Sequence, residues 1–332
     1  MQLFKRLGIG SVVLLLMLCK AAFAENSTRF VDGLSFGGYY SAGIILPRTL
    51  PSEAAINEIS LITRWENDNR FKFFSELELQ KPLNGNHHDG LNTDGSLIEL
   101  ERLYVDYNYS DKVNLRIGRF LSPVGRWNPL HAPPLVWTSS RPLATSRLFP
   151  TSTNGVMVFG AVPLSNSAFE YSFFIEGLQD QTENRDELKF RDVKGARFTF
   201  GESFNLGLNL LEFTEKAPTS RHYEMLGLDF ITNFHKIEIL GEGYQRWKSD
   251  NSDGGSGAYL QTAVPLPILN NWYGIARIET LHRPDEGYSE RWVLGATWHI
   301  KPTQLLKLEF TGGSADQPES PRGFLSSFTV LF

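Results

Sequence analysis

The sequence predicts an all-β chain folded as a transmembrane antiparallel β-barrel of about sixteen strands, with a long loop turned into its lumen. Three observations carry this prediction. The chain ends on an apolar strand closed by an aromatic residue, short segments alternate between apolar and polar side chains, and no run of about eighteen apolar residues offers a membrane helix.

Residues 1–24 read as a secretory signal, with Lys5 and Arg6 at its start, an apolar run from Ser11 to Leu18, and Ala22-Phe23-Ala24 as an Ala-x-Ala cleavage site. The apolar run is too short to cross ~30 Å of hydrocarbon. Cys19, the single cysteine, follows Leu18 rather than a small residue and does not fit lipid attachment. The mature chain, 25–332, is therefore free of cysteine, which excludes a disulfide framework, a thiol nucleophile and a thiolate metal site. Removing the signal takes away Lys5, Arg6 and Lys20 but no acid, so the formal charge moves from −5 to −8. Aromatic residues make up 13% of the chain while its mean hydropathy is −0.23, a combination that suits apolar and polar faces averaging out.

Period two is clearest in residues 70–80, where Phe71, Phe73, Leu77 and Leu79 oppose Lys72, Glu76, Glu78 and Gln80. Ile59, Leu61 and Trp65 oppose Glu58, Ser60, Arg64 and Glu66 in the same way, as do Leu103, Val105, Tyr107 and Tyr109 the residues between them. Strands are expected at 34–46, 55–66, 70–80, 97–109, 112–120, 154–162, 168–178, 188–200, 204–215, 222–233, 235–248, 257–264, 272–282, 290–300, 305–311 and 323–332. The total is even, as both termini on the periplasmic side require. Tight turns at Ser110-Asp111, Gly201-Glu202-Ser203 and Lys301-Pro302-Thr303 contrast with longer polar connections at 81–96, 179–187, 249–256, 283–289 and 312–321. On the last strand Phe324, Phe328, Val330 and Phe332 share one face, and Phe328 with Phe332 resembles the C-terminal assembly signal of bacterial outer-membrane proteins.

Between residues 121 and 153 no strand pattern fits. Six prolines in this stretch argue against an interior strand and a regular helix, and Trp127, Trp137 and Phe149 are expected to anchor it against the wall. A long packed loop is usually functional, and a sixteen-strand barrel is too wide for side chains alone to fill. From Lys112 to Phe169 the sequence holds 58 residues without one Asp or Glu, but with Lys112, Arg116, Arg119, Arg126, Arg141 and Arg147. Guanidinium groups at a constriction lower the energy of an anion there, and they offer forked donors to carboxylate or phosphate. The pore-constriction set is thus Arg116, Arg119, Arg126, Arg141 and Arg147, with His131 assisting when protonated or serving as a structural hydrogen-bonder. The alternative is that the arginines pair with acids on the opposite wall and hold the loop in place.

Tyr104-Val105-Asp106-Tyr107 followed by Gly118-Arg119-Phe120-Leu121-Ser122-Pro123-Val124-Gly125-Arg126-Trp127 resembles the strand-to-loop passage of Gram-negative porins, most of all the phosphate-selective porin family and its relatives. The resemblance implies a sixteen-stranded, trimeric, passive channel in the outer membrane whose third loop enters the pore, with the arginines from Arg126 to Arg147 at the eyelet. It implies small anionic solutes, outer-membrane lipid and the barrel-assembly machinery as partners, with no cofactor and no nucleic acid. The chain departs from the family in lacking a dense lysine ladder on the inward parity of successive strands, so phosphate specificity does not carry over.

Other constellations point less far. Asn86-His87-His88-Asp89 has metal-ligand residue types without ligand spacing, and Asp250-Asn251-Ser252-Asp253-Gly254-Gly255 lacks the distal acid of a calcium loop, so no metal site is expected. An outer-membrane hydrolase or acyltransferase would need a Ser, His and Asp set that no motif joins here, and a surface receptor or adhesin would need larger outer loops. A channel, not an enzyme, is the expectation.

Overall fold

The computed structural model describes residues 32–49, 51–67, 70–86, 90–165, 167–178, 189–216, 220–314 and 321–332. The signal segment 1–24 and His87 to Asp89 lie outside the described residues. The strands are β1 (Leu34–Pro47), β2 (Glu53–Glu66), β3 (Phe71–Asn86), β4 (Gly90–Asn92), β5 (Leu97–Ser110), β6 (Val113–Leu121), β7 (Ser152–Leu164), β8 (Ser167–Glu176), β9 (Phe190–Phe200), β10 (Phe204–Glu215), β11 (Arg221–Phe234), β12 (Ile237–Lys248), β13 (Asp253–Pro265), β14 (Trp272–Arg283), β15 (Gly287–Lys301), β16 (Gln304–Gly313) and β17 (Gly323–Leu331). Each pairs antiparallel with its neighbour in sequence, except that β4 is a short arm on β3 while β3 itself pairs with β5. Sixteen strands therefore form the wall, the number the alternation predicts.

The ring closes where β1 meets β17, from Tyr39 opposite Leu331 to Pro47 opposite Gly323. Phe332 completes the seam: it exchanges two backbone hydrogen bonds with Gly38, each 2.9 Å. A Cβ at Gly38 would lie 2.1 Å from the Ser60 carbonyl and 3.0 Å from the Phe332 ring, so only glycine fits there.

Alternation gives the wall two faces. On β14, exposed Ile278 separates buried Arg277 from buried Glu279, and the other strands repeat this inversion of the usual inside and outside. Aromatic pairs gather on the outer face near the tight-turn end, at Phe71 with Tyr107 (centroids 4.9 Å apart), Phe204 with Phe230 (5.8 Å) and Trp272 with Trp298 (5.4 Å). Trp292 and Phe310 pair nearer the opposite rim. Such girdles mark the two interfaces of an apolar band.

Three connections differ from expectation. Residues 249–252 and 284–286 are short turns, because the backbone ladder continues past the end of side-chain alternation. The connection after residue 80 continues as strand to Asn86, with Lys81 at φ 42°, and returns through β4.

Candidate functional site

The connection from β6 to β7, residues 122–151, crosses the interior of the barrel. It contains a 3-10 turn (Asn128–Leu130) and a five-residue helix, α1 (Leu143–Arg147), which the prolines were expected to prevent. Pro142 stands just before α1, where a missing N–H costs nothing, and Pro150 lies beyond its end. At the neck, Asn128 Nδ2 donates to the carbonyls of Ser122 (2.9 Å) and Thr151 (2.8 Å), tying the two ends of the loop together.

Wall charges satisfy the loop backbone in both directions. Carboxylates accept its N–H groups: Glu242 Oε1 from Arg126 and Trp127 (2.7 Å each), Glu279 from Leu143 (2.7 Å), and Glu309 from Ser139 and Ser140. Cations donate to its carbonyls: Lys307 to Pro133 (2.6 Å), Arg277 to Ser140 (2.9 Å), Arg283 to Arg147 (2.7 Å), Arg246 to Leu148 (3.1 Å), and Arg291 to Arg141. A non-repetitive segment buried in a barrel must find such partners or leave polar groups unsatisfied. Close approach needs Gly125, at φ 63°, since a Cβ there would sit 2.1 Å from Tyr244 Oη. Phe149 and Leu148 complete the contact by packing into an apolar cluster with Phe174, Phe213, Tyr244 and Leu281 on the inner wall.

The sequence-derived site residues fall into distinct settings. Trp127 packs on Leu240 and Tyr259, Trp137 donates its indole N–H to Glu238 (2.7 Å) beside Tyr273 and His299, and Phe149 lies against Tyr244. Arg126 pairs with Asp229 (2.8 Å), which Arg197 also holds (2.7 Å). Arg141 lies over the Trp127 ring and donates to Thr145 O (2.9 Å) and Asn128 Oδ1 (3.1 Å). Arg147 pairs with Glu286 at the rim through two bonds. Arg116 grips Asp106 through Nε (2.7 Å) and Nη2 (2.8 Å), and Arg119 reaches Glu99 at 3.5 Å. His131 lies 3.3 Å from Glu101 and 2.9 Å from the Asn128 carbonyl. Burial alone would lower its pKa, but the bond to Glu101 and that group's charge outweigh it and raise the pKa above the usual histidine value.

Each of these paired cations faces a carboxylate, Asp229 being shared by Arg126 and Arg197, yet the partners differ in exposure. Arg102 keeps 21% of its side-chain surface exposed while its partner Glu76 keeps 1%, and Arg126 keeps 16% while Asp229 keeps none. Arg116, Arg119 and Arg197 are likewise more exposed than their acids. In these five pairs the arginine is the more exposed member and the acid lies behind it, whereas at the rim Glu286 is more exposed than Arg147. Sequence reasoning missed Arg102 and Arg197, together with the loop fasteners Arg246, Arg277, Arg283, Arg291 and Lys307. Inward parity on β5, β9, β12, β14, β15 and β16 was the available signal, once a loop to hold was assumed.

The calcium-like segment is a turn, in which Asp250 accepts from the Ser252 N–H and Asp253 from the Gly255 N–H (2.9 Å each). Among the described residues no cluster of three His, Cys, Asp or Glu could hold a metal ion.

No protein-family model matches the chain. An uncharacterized protein of Aquifex aeolicus (strain VF5) is 35% identical over 145 residues, which span 42% of this chain and 32% of that protein. Among solved structures, the barrel is similar to an anion-selective porin from Comamonas acidovorans (TM-score 0.60, 12% identity, 90% of this chain and 98% of that one). It is also similar to Pseudomonas putida OprB (TM-score 0.60, 7% identity, 93% and 96%) and to Salmonella typhi OmpF (TM-score 0.59, 10% identity, 91% and 98%). At these identities the likeness concerns the fold.

Proposed function

We propose that the chain is an outer-membrane porin, a passive diffusion channel for small and preferentially anionic solutes, exported by its signal segment and assembled as a homotrimer. The observation that carries the anion preference is the unequal exposure of the lumen ion pairs, with Arg102, Arg116 and Arg126 toward water and Glu76, Asp106 and Asp229 behind them. A solute ion meets the nearer charge more strongly than the farther one, and a narrow path between low-dielectric walls magnifies the difference. The aromatic girdles, the closed ring and the porin-like fold support the channel reading.

The test removes pairs rather than charges. Arg102→Gln with Glu76→Gln, combined with Arg116→Gln and Asp106→Asn, leaves the formal charge unaltered. Reversal potentials in a planar bilayer at ~0.1 M salt, where the Debye length is ~10 Å, should then move from anion preference toward neutrality. An unchanged reversal potential would sink the proposed origin of selectivity.

A further inference from the structure

Beneath the neck of the loop, on the inner face of β6 to β9, lies a cavity of about 420 Å³ lined by Arg116, Arg197, Phe159, Met157, Pro123 and Glu170 among others. Its volume falls within the ~300–1,000 Å³ usual for small-molecule sites. We propose that this cavity is a binding site for a small aromatic monocarboxylate in transit; this rests on the channel reading and names the solute class it favours.

Arg116 is the anchor. Its guanidinium stacks on Tyr104, with Cζ 3.7 Å from the ring centroid, and is fixed edgewise by Asp106 through Nε and Nη2. Nη1 is left without a partner among the described residues. A donor held on three sides with one nitrogen open is preorganised for a carboxylate oxygen. Arg197, clamped through both terminal nitrogens to Asp229, stands across the same cavity with its Nε unbonded among the described residues.

The remaining lining sets the rest of the ligand. Phe159 lies 5.2 Å from the Arg116 guanidinium carbon, and with Met157 and Pro123 it offers an apolar surface for a ring. A fully hydrated inorganic anion would gain nothing from that surface. Glu170, held by Thr199 Oγ1 at 2.8 Å, and Asp111 add two negative charges to the lining and oppose a second charge on the ligand. The chemistry therefore favours a monoanion with an aromatic body over phosphate or a dicarboxylate.

Titration calorimetry on the micelle-solubilised full barrel, with sodium benzoate, acetate and succinate as probes, tests this. Benzoate should bind, with acetate and succinate at least about tenfold weaker. Phe159→Ala should weaken benzoate by roughly three- to tenfold and leave acetate alone, in line with the worth of one aromatic contact. Phe159→Leu, which keeps a branched apolar side chain, should reproduce that loss if the ring itself is what matters. Equal binding of benzoate and acetate, tighter binding of succinate, or indifference to Phe159→Leu would each overturn the proposal. Chloride conductance of the same preparation reports on the channel separately: a conducting protein that ignores benzoate loses this site only, and a binding protein that fails to conduct loses the channel reading.

Discussion

Arg277 and Glu279 stand two residues apart on β14, both facing the interior, and form an ion pair (Nε to Oε1, 2.9 Å) in which neither side chain has exposed surface. Glu279 also holds Arg291 at 2.8 Å and the Leu143 N–H at 2.7 Å, so one carboxylate is shared by two buried guanidiniums and fixes the start of α1. Replacing it by alanine strands both cations where water cannot reach them. Glu279→Ala should cost about 3–5 kcal/mol, the range for breaking a buried pair from one side, read as a lower denaturation midpoint of the folded barrel in micelles. Arg291→Met, which leaves Arg277 paired, should cost clearly less.

Glu242 governs the other end of the loop. Its Oε1 accepts the N–H groups of both Arg126 and Trp127. Glu242→Ala leaves those two donors buried without partners, at about 1–3 kcal/mol each. Because they fix the first turn of the loop, the expected readout in a bilayer is a noisier current rather than a changed ion preference. A quiet wild-type trace from this variant would show that the apolar packing of Phe149 and Leu148 suffices.

The strand wall was legible in the sequence because its signal is local: period two needs only neighbouring residues, as in Phe71 to Leu79. The position of the loop was only partly legible. Proline content and Trp127, Trp137 and Phe149 mark a packed segment, but Asn209, Glu242 and Glu279, which receive it, lie some 80 to 140 residues away and read as ordinary inward polar positions. The arginines split for a similar reason. Composition reveals a basic stretch, whereas the exposure of Arg102 against Glu76 depends on which way each side chain turns after the strands are paired.

Protonation of His131 couples the loop to β5. Since its pKa is raised in the folded barrel, the pair with Glu101 contributes stability that is fully present below the unfolded value of about 6.5 and is lost as the pH rises through the folded value. His131→Asn should therefore destabilise most in mildly acidic solution, with the difference from wild type shrinking toward alkaline pH. Nuclear magnetic resonance titration of the ring should place its midpoint above that of a free histidine. A midpoint at or below it would remove Glu101 from the account.

Arg141 and Arg147 should not set selectivity. Arg147 shares its charge with Glu286 at an exposed rim, where a pair is worth about 0–1 kcal/mol, so Arg147→Gln should leave both stability and reversal potential nearly unchanged. Arg141→Gln removes a stacking partner of Trp127 and a donor to Thr145, and should lower stability without moving the reversal potential. A large shift in ion preference from either variant would return the filter to the distal half of the loop.

The seam at Phe332 gives the last prediction, which concerns assembly. Phe328 and Val330 sit on the outward parity of β17, Phe328 opposite Ala42 and Leu306, Val330 opposite Tyr40 and Gln304. An arginine at either position would place a charge on the apolar band, at a cost of about 2–4 kcal/mol if it lies at the bilayer midplane and about 0–1 kcal/mol near an interface. Phe328 pairs edgewise with Tyr40 (6.4 Å), whereas Val330 is two residues nearer the tight-turn rim, so Phe328→Arg should be the costlier change. Deleting Phe332 acts differently: it removes both hydrogen bonds to Gly38 and the ring that covers it. Refolding yield into lipid vesicles should fall for the deletion, while any barrel that does close should keep its lumen and hence its conductance. Normal yield from the deletion would mean that the nine residue pairs from Tyr39 to Pro47 close the barrel unaided.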